Sequence, residues 1–98
     1  MKNYEFAHRD YDWAIEKEPN NPRYWHAKGL SYEAISNKQE VLILAIKAYE
    51  QSLAIDPAYF GSWFHLGKMY TLNKQYKEAL NCFSNVIKNY TKDGDIYI

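Results

Sequence analysis

The chain has 98 residues, 47% of them apolar, which is material for one small core and not for two domains. Lys plus Arg and Asp plus Glu each total 12, so no net field draws the chain onto phosphate backbones or anionic bilayers, and nucleic acid is a poor partner class. No run approaches the roughly 18 apolar residues of a spanning helix, which excludes membrane insertion, and ten Lys against only two Arg argue against dedicated anion recognition.

Apolar residues at helical spacing predict helices over 3–18, 22–36, 40–55, 60–72 and 76–90, with no strand. The first carries Ala7, Tyr11 and Ala14 and is stopped by Pro19, which cannot continue a helix. Pro19-Asn20-Asn21-Pro22 is the turn into the second, which carries Trp25, Gly29 and Tyr32. The third opens on Val41-Leu42-Ile43-Leu44, a run with strand propensity. Ala45, Ile46, Tyr49 and Leu53 prolong it at helical spacing, so it reads as helix up to Pro57. The fourth places Trp63, Leu66, Gly67 and Tyr70 at i, i+3, i+4 and i+7, one stripe of a helix. Gly67 costs a helix about 1 kcal/mol relative to Ala, which makes sense where a neighbour comes very close. After the Asn73-Lys74-Gln75 turn, the fifth sets small Ala79 beside large Phe83, a pair suited to receive that neighbour.

These stripes repeat. Ala45 and Ala79, and Tyr49 and Phe83, are 34 residues apart, while Ala7 and Ala45, Tyr11 and Tyr49, and Pro19 and Pro57 are 38 apart. A single four-residue insertion explains the difference. It falls near Ser36-Asn37-Lys38-Gln39-Glu40, where the gap from Tyr32 to Ala45 is 13 residues against nine from Tyr70 to Ala79. Lys28 stands in place of Leu66, with only its stem expected to be buried. Ser52, Val86 and Thr91 are further departures between copies.

The order Trp63, Leu66, Gly67, Tyr70, Ala79, Phe83 resembles the tetratricopeptide repeat, whose period is about 34 residues. The resemblance implies an all-α superhelical solenoid of antiparallel helix pairs, about five helices here. Residues 1–21 would be the second helix of a partial repeat, 22–59 a complete repeat with the insertion, 60–93 a complete repeat, and 94–98 the start of a further one. The chain would then be a fragment of a longer solenoid, or it would hide its ends against a copy of itself. Family members commonly bind peptides or partner helices in a concave groove lined by the first helices. By helical angle, that groove would present Arg23, His26, Leu30 and Glu33 from one repeat and Gly61, Phe64, Lys68 and Thr71 from the next. Arg23, Lys68 and His26 could meet a carboxylate, and Phe64 and Leu30 offer apolar contact. The uncapped ends would expose Phe6, Trp13, Phe83, Ile87, Tyr90, Ile96 and Tyr97, which points to self-association. The acidic residues Asp10, Asp12, Glu16 and Glu18 and the basic residues Lys74, Lys77, Lys88 and Lys92 read first as solvated faces.

The function this implies is a protein-binding scaffold, with a structural segment of a large assembly as the alternative. A chaperone adaptor gripping a terminal carboxylate is disfavoured, because His65, Gly61 and Ala27 occupy the sites where the resemblance would ask for Arg, Lys and Asn. No catalytic or cofactor site is expected. His8, His26 and His65 fall on three helices, no zinc-type spacing occurs, and His26 and His65 as neighbours would lack a third metal ligand. Lone Cys82 forms no internal disulfide and reads as a small buried hydrophobe. With no signal-peptide run at the N-terminus, the expected compartment is intracellular and cytoplasmic.

Overall fold

Helical periodicity is realised in every predicted segment. A computed structural model describes residues 2–35 and 38–92, with side chains described for 9–35 and 38–88. Its helices are α1 (Lys2–Lys17), α2 (Pro22–Ile35), α3 (Gln39–Ile55), α4 (Phe60–Leu72) and α5 (Tyr76–Lys92). There is no strand among the described residues. Consecutive helices pack as antiparallel neighbours, so α3 is held between α2 and α4. The run from Val41 to Leu44 lies inside α3. Of the expected insertion segment, Ser36 and Asn37 lie outside the described residues.

The core follows the stripes. Leu42, Ala45, Ile46, Tyr49 and Leu53 of α3 pack with Leu66 and Met69 of α4 and Cys82 of α5, with Tyr32, Tyr59, Trp63 and Tyr70 at its margin. Cys82 is 2% exposed, and burial, followed by Glu50 and Glu78, pushes its thiol up to about 11. Such a thiol is inert packing rather than a nucleophile.

The glycines in the stripes are explained by rings. A Cβ on Gly29 would stand 2.6 Å from the Tyr49 ring, and one on Gly67 would stand 2.7 Å from the Phe83 ring. Each second helix therefore lays an aromatic face directly on the backbone of the first, which only a residue without a side chain permits. Phe83, expected among the uncovered end groups, is half-buried because it covers Gly67.

Local chemistry ends the helices. Asp56 closes α3, its N–H bonding to Ser52 O at 3.0 Å and its side chain accepting from the Ala58 N–H at 3.0 Å. At the end of α4 the Gln75 N–H reaches Tyr70 O at 2.8 Å and the Lys74 N–H reaches Thr71 O at 3.0 Å, with Lys74 at φ 62°. That is the six-to-one and five-to-two bond pair of a Schellman stop, with lysine where glycine is usual.

The two tryptophans at equivalent sites differ. The Trp63 indole N–H donates to Pro57 O at 2.7 Å, whereas Trp25 Nε1 is buried without a partner. Lys28 compensates in part. Its stem is buried as expected, its ammonium lies 5.5 Å from the centre of the Trp25 ring, and it pairs with Asp12 at 2.6 Å, tying α1 to α2.

Candidate functional site

The described side chains with the densest polar contacts lie where α2 and α4 come together over α3. Ser52 and Ser62 are fully buried, and their hydroxyls need internal partners. Ser52 Oγ lies 3.0 Å from Pro22 O, Ser62 Oγ lies 2.9 Å from Ser52 Oγ, and His26 Nδ1 lies 2.8 Å from Ser62 Oγ.

The direction of this chain is fixed at one end. A carbonyl only accepts, so Ser52 spends its single proton on Pro22. Ser62 must then donate to Ser52, and His26 must donate from Nδ1 to Ser62. Burial, and then the neighbouring His65, hold His26 below the ordinary histidine range, with Glu33 opposing. His26 is thus neutral near pH 7, with its proton on Nδ1 and a bare lone pair on Nε2. Trp25 Nε1 is the one fully buried side-chain nitrogen or oxygen without a partner among the described residues, so His26 Nε2 retains contact with solvent.

Glu33 forms the second half of the site. Its Oε2 accepts from the Tyr49 hydroxyl and from His65 Nδ1, the latter at 3.1 Å. Its Oε1 has only the Lys68 ammonium, 3.9 Å away. Burial and the hydrogen bond to Glu33 hold the Tyr49 proton on far above the usual tyrosine range. The rings are continuous: His26 and His65 are 5.5 Å apart, His65 stacks on Tyr49 at 5.6 Å, and Phe64 meets His65 edge-on at 5.5 Å.

The residues singled out by helical angle divide into two groups. His26, Glu33 and Lys68 belong to this cluster, and a Cβ on Gly61 would touch His26 Cε1 at 3.4 Å. Leu30 and Phe64 are exposed, at 39% and 47%. Arg23 is exposed at the start of α2, and Thr71 turns its hydroxyl back onto Gly67 O at 2.9 Å. Of the end groups, Trp13 is 61% and Ile87 53% exposed. Phe6 and Tyr90 lie in helices whose side chains there are not described, and Ile96 and Tyr97 lie outside the described residues. Angle counting passed over His65, Ser52, Ser62 and the Tyr49 hydroxyl. Ser52 carried the one available signal, a hydroxyl at a core position where the copy 38 residues earlier has Ala14.

His26 and His65 are neighbours, yet no group of three or more His, Cys, Asp or Glu among the described residues is arranged to hold a metal ion. No helix among the described residues is long and apolar enough to cross a membrane.

Residues 48–81 match the family model of the tetratricopeptide repeat. The chain is also 28% identical, over 86 residues, to small glutamine-rich tetratricopeptide repeat-containing protein 2 of Saccharomyces cerevisiae. The chain belongs to the tetratricopeptide-repeat family. The match covers 88% of this chain and 24% of the yeast protein. Two solved structures have the same fold. The MamA RS-1 ArsTM double mutant superposes with a TM-score of 0.83 and MamA 41-end from Desulfovibrio magneticus RS-1 with 0.80, each at 23% identity and covering 97% of this chain and 51% of the other. The chain therefore spans a quarter to a half of the length of these relatives. Repeats of this family generally mediate protein–protein contacts, and the family and fold are typically non-enzymatic.

Proposed function

We propose that this chain is a protein-binding scaffold module in which 22–59 and 60–93 are two complete repeats and the partner segment docks on the face shared by α2 and α4. The single observation that carries this reading is the combination of Leu30 and Phe64, exposed on that face, with the fixed polar cluster of His26, Glu33, His65 and Lys68 beside them. Apolar anchors give area, and positioned polar groups give orientation.

Affinity capture with the immobilised chain, followed by mass spectrometry, tests this. The double variant Leu30→Ser/Phe64→Ser changes no charge and removes no core contact. It is expected to lose the proteins the parent chain retains; an unchanged set would show that the partner lies elsewhere.

A second reading is supported by apolar groups at the two ends of the array, Trp13 on α1 and Leu80 on α5, exposed at 61% and 68%. These favour association between copies, with acidic Asp10 and Glu16 facing Lys77 and Lys88 in a head-to-tail pair. Sedimentation at micromolar concentration is expected to show species above the 11.6 kDa of one chain. A clean monomer would remove this reading.

A further inference from the structure

We infer that Glu33 Oε1 and the face of Phe64 form a niche for the guanidinium of an arginine on the partner segment, and that Lys68 is the resident competitor for it. The inference rests on the reading that the α2/α4 face receives a protein. It reverses the expectation that Lys68 and His26 meet a partner carboxylate.

Three observations carry it. First, the site already holds a cation. The Lys68 ammonium lies 3.9 Å from Glu33 Oε1 and 5.8 Å from the centre of the Phe64 ring, a carboxylate on one side and an aromatic face on the other. Second, that occupant is weakly held. Lys68 is 46% exposed, its contact with Glu33 is at the limit of an ion pair, and an exposed pair of this kind is worth little. Glu33 itself is fixed, because its Oε2 is clamped by Tyr49 and His65 while Oε1 retains a free lone pair. Third, the surroundings accept rather than donate. His26 spends its only proton on Ser62 and turns a bare Nε2 outward, so it has nothing to offer a carboxylate and something to offer an N–H.

Arginine fits better than lysine. Its guanidinium is weakly hydrated, stacks on aromatic faces and donates in a fork. A cleft of about 200 Å³, lined in part by Val41, Leu42, Leu72, Glu33 and Lys68, adjoins the pair and can take the methylene stem. Arg23 does not compete for the niche. It lies ten residues before Glu33 on the same helix, roughly 15 Å away at 1.5 Å per residue.

The test is a titration followed by amide NMR, using N-acetyl-arginine methylamide and, in parallel, N-acetyl-glutamate methylamide. The arginine derivative is expected to shift signals of α2 and α4 around Glu33 and Phe64, and the glutamate derivative is not. Lys68→Ala should tighten the arginine derivative about fivefold, the factor equivalent to losing one weak internal ion pair. Glu33→Gln should abolish its binding. Because Glu33 also holds Tyr49 and His65, the exposed Lys68 variant carries the decision if Glu33→Gln fails to fold. Weaker or unchanged arginine binding in Lys68→Ala would overturn the inference, as would tighter binding of the glutamate derivative or no shift with either compound. In all three cases the capture experiment stands separately, so a partner on this face with other chemistry remains distinguishable from no partner at all.

Discussion

Gly29→Ala is expected to lower the unfolding free energy by about 2–3 kcal/mol, a drop in Tm of roughly 10 °C or more for a domain of this size. The added Cβ would stand 2.6, 2.7 and 2.8 Å from three Tyr49 ring atoms. Tyr49 is 0% exposed and its hydroxyl is bound to Glu33, so the ring has nowhere to go. Helix propensity works the other way, since Ala is favoured over Gly by about 1 kcal/mol, and the expected value is what remains after that gain. Gly67→Ala meets similar distances, but its neighbour Phe83 is only half-buried and can swing outward, so the net loss there should be at most about 1 kcal/mol. Thermal and urea unfolding of both variants measure the contrast. Combining Gly29→Ala with Tyr49→Leu should cost less than the sum of the two singles, because the second change removes the atoms the first would strike. Strict additivity would show that the strain lies elsewhere.

The fold was legible in the sequence because its determinants are local and repeated. Trp63, Leu66, Gly67 and Tyr70 specify one helical stripe, and Ala79 with Phe83 specifies the surface that receives it. The 34-residue period and the 38-residue offset then fixed the register of the copies. The predicted helix at 22–36 is α2 at Pro22–Ile35, and that at 40–55 is α3 at Gln39–Ile55. The reason for glycine at positions 29 and 67 was legible only in part: close approach was expected, but the approaching group is a ring from the second helix.

The polar cluster was less legible, for a physical reason. Helical angle tells which way a Cβ points, and it found His26, Glu33 and Lys68. It says nothing of where a long side chain ends, so Lys68 read as free to meet a carboxylate although its ammonium lies between Glu33 and Phe64. Nor does it show hydroxyls reaching across elements. Ser52 and Ser62 are ten residues apart in sequence and on different helices, and their bond exists only because α3 and α4 pack together.

Those two serines give the second large effect. Ser52→Ala is expected to cost about 1–2 kcal/mol, since it removes a buried donor from Pro22 O and a buried acceptor from Ser62. It should also move a proton 36 residues away in sequence. With Ser52 gone, the Ser62 hydroxyl is released to donate to His26 Nδ1, and the His26 proton shifts to Nε2. Nitrogen-15 shifts of the imidazole distinguish the two tautomers directly, the wild type showing protonated Nδ1 and the variant protonated Nε2. An unchanged tautomer would mean that the hydroxyl chain does not run in the direction assigned. If it does switch, the outward-facing atom of His26 turns from acceptor to donor with no change at the surface itself. The same variant should then weaken the arginine derivative and leave Leu30 and Phe64 in place. In this chain a core residue of a repeat, indistinguishable by packing from the Ala14 of another copy, would set the hydrogen-bonding character of the face above it.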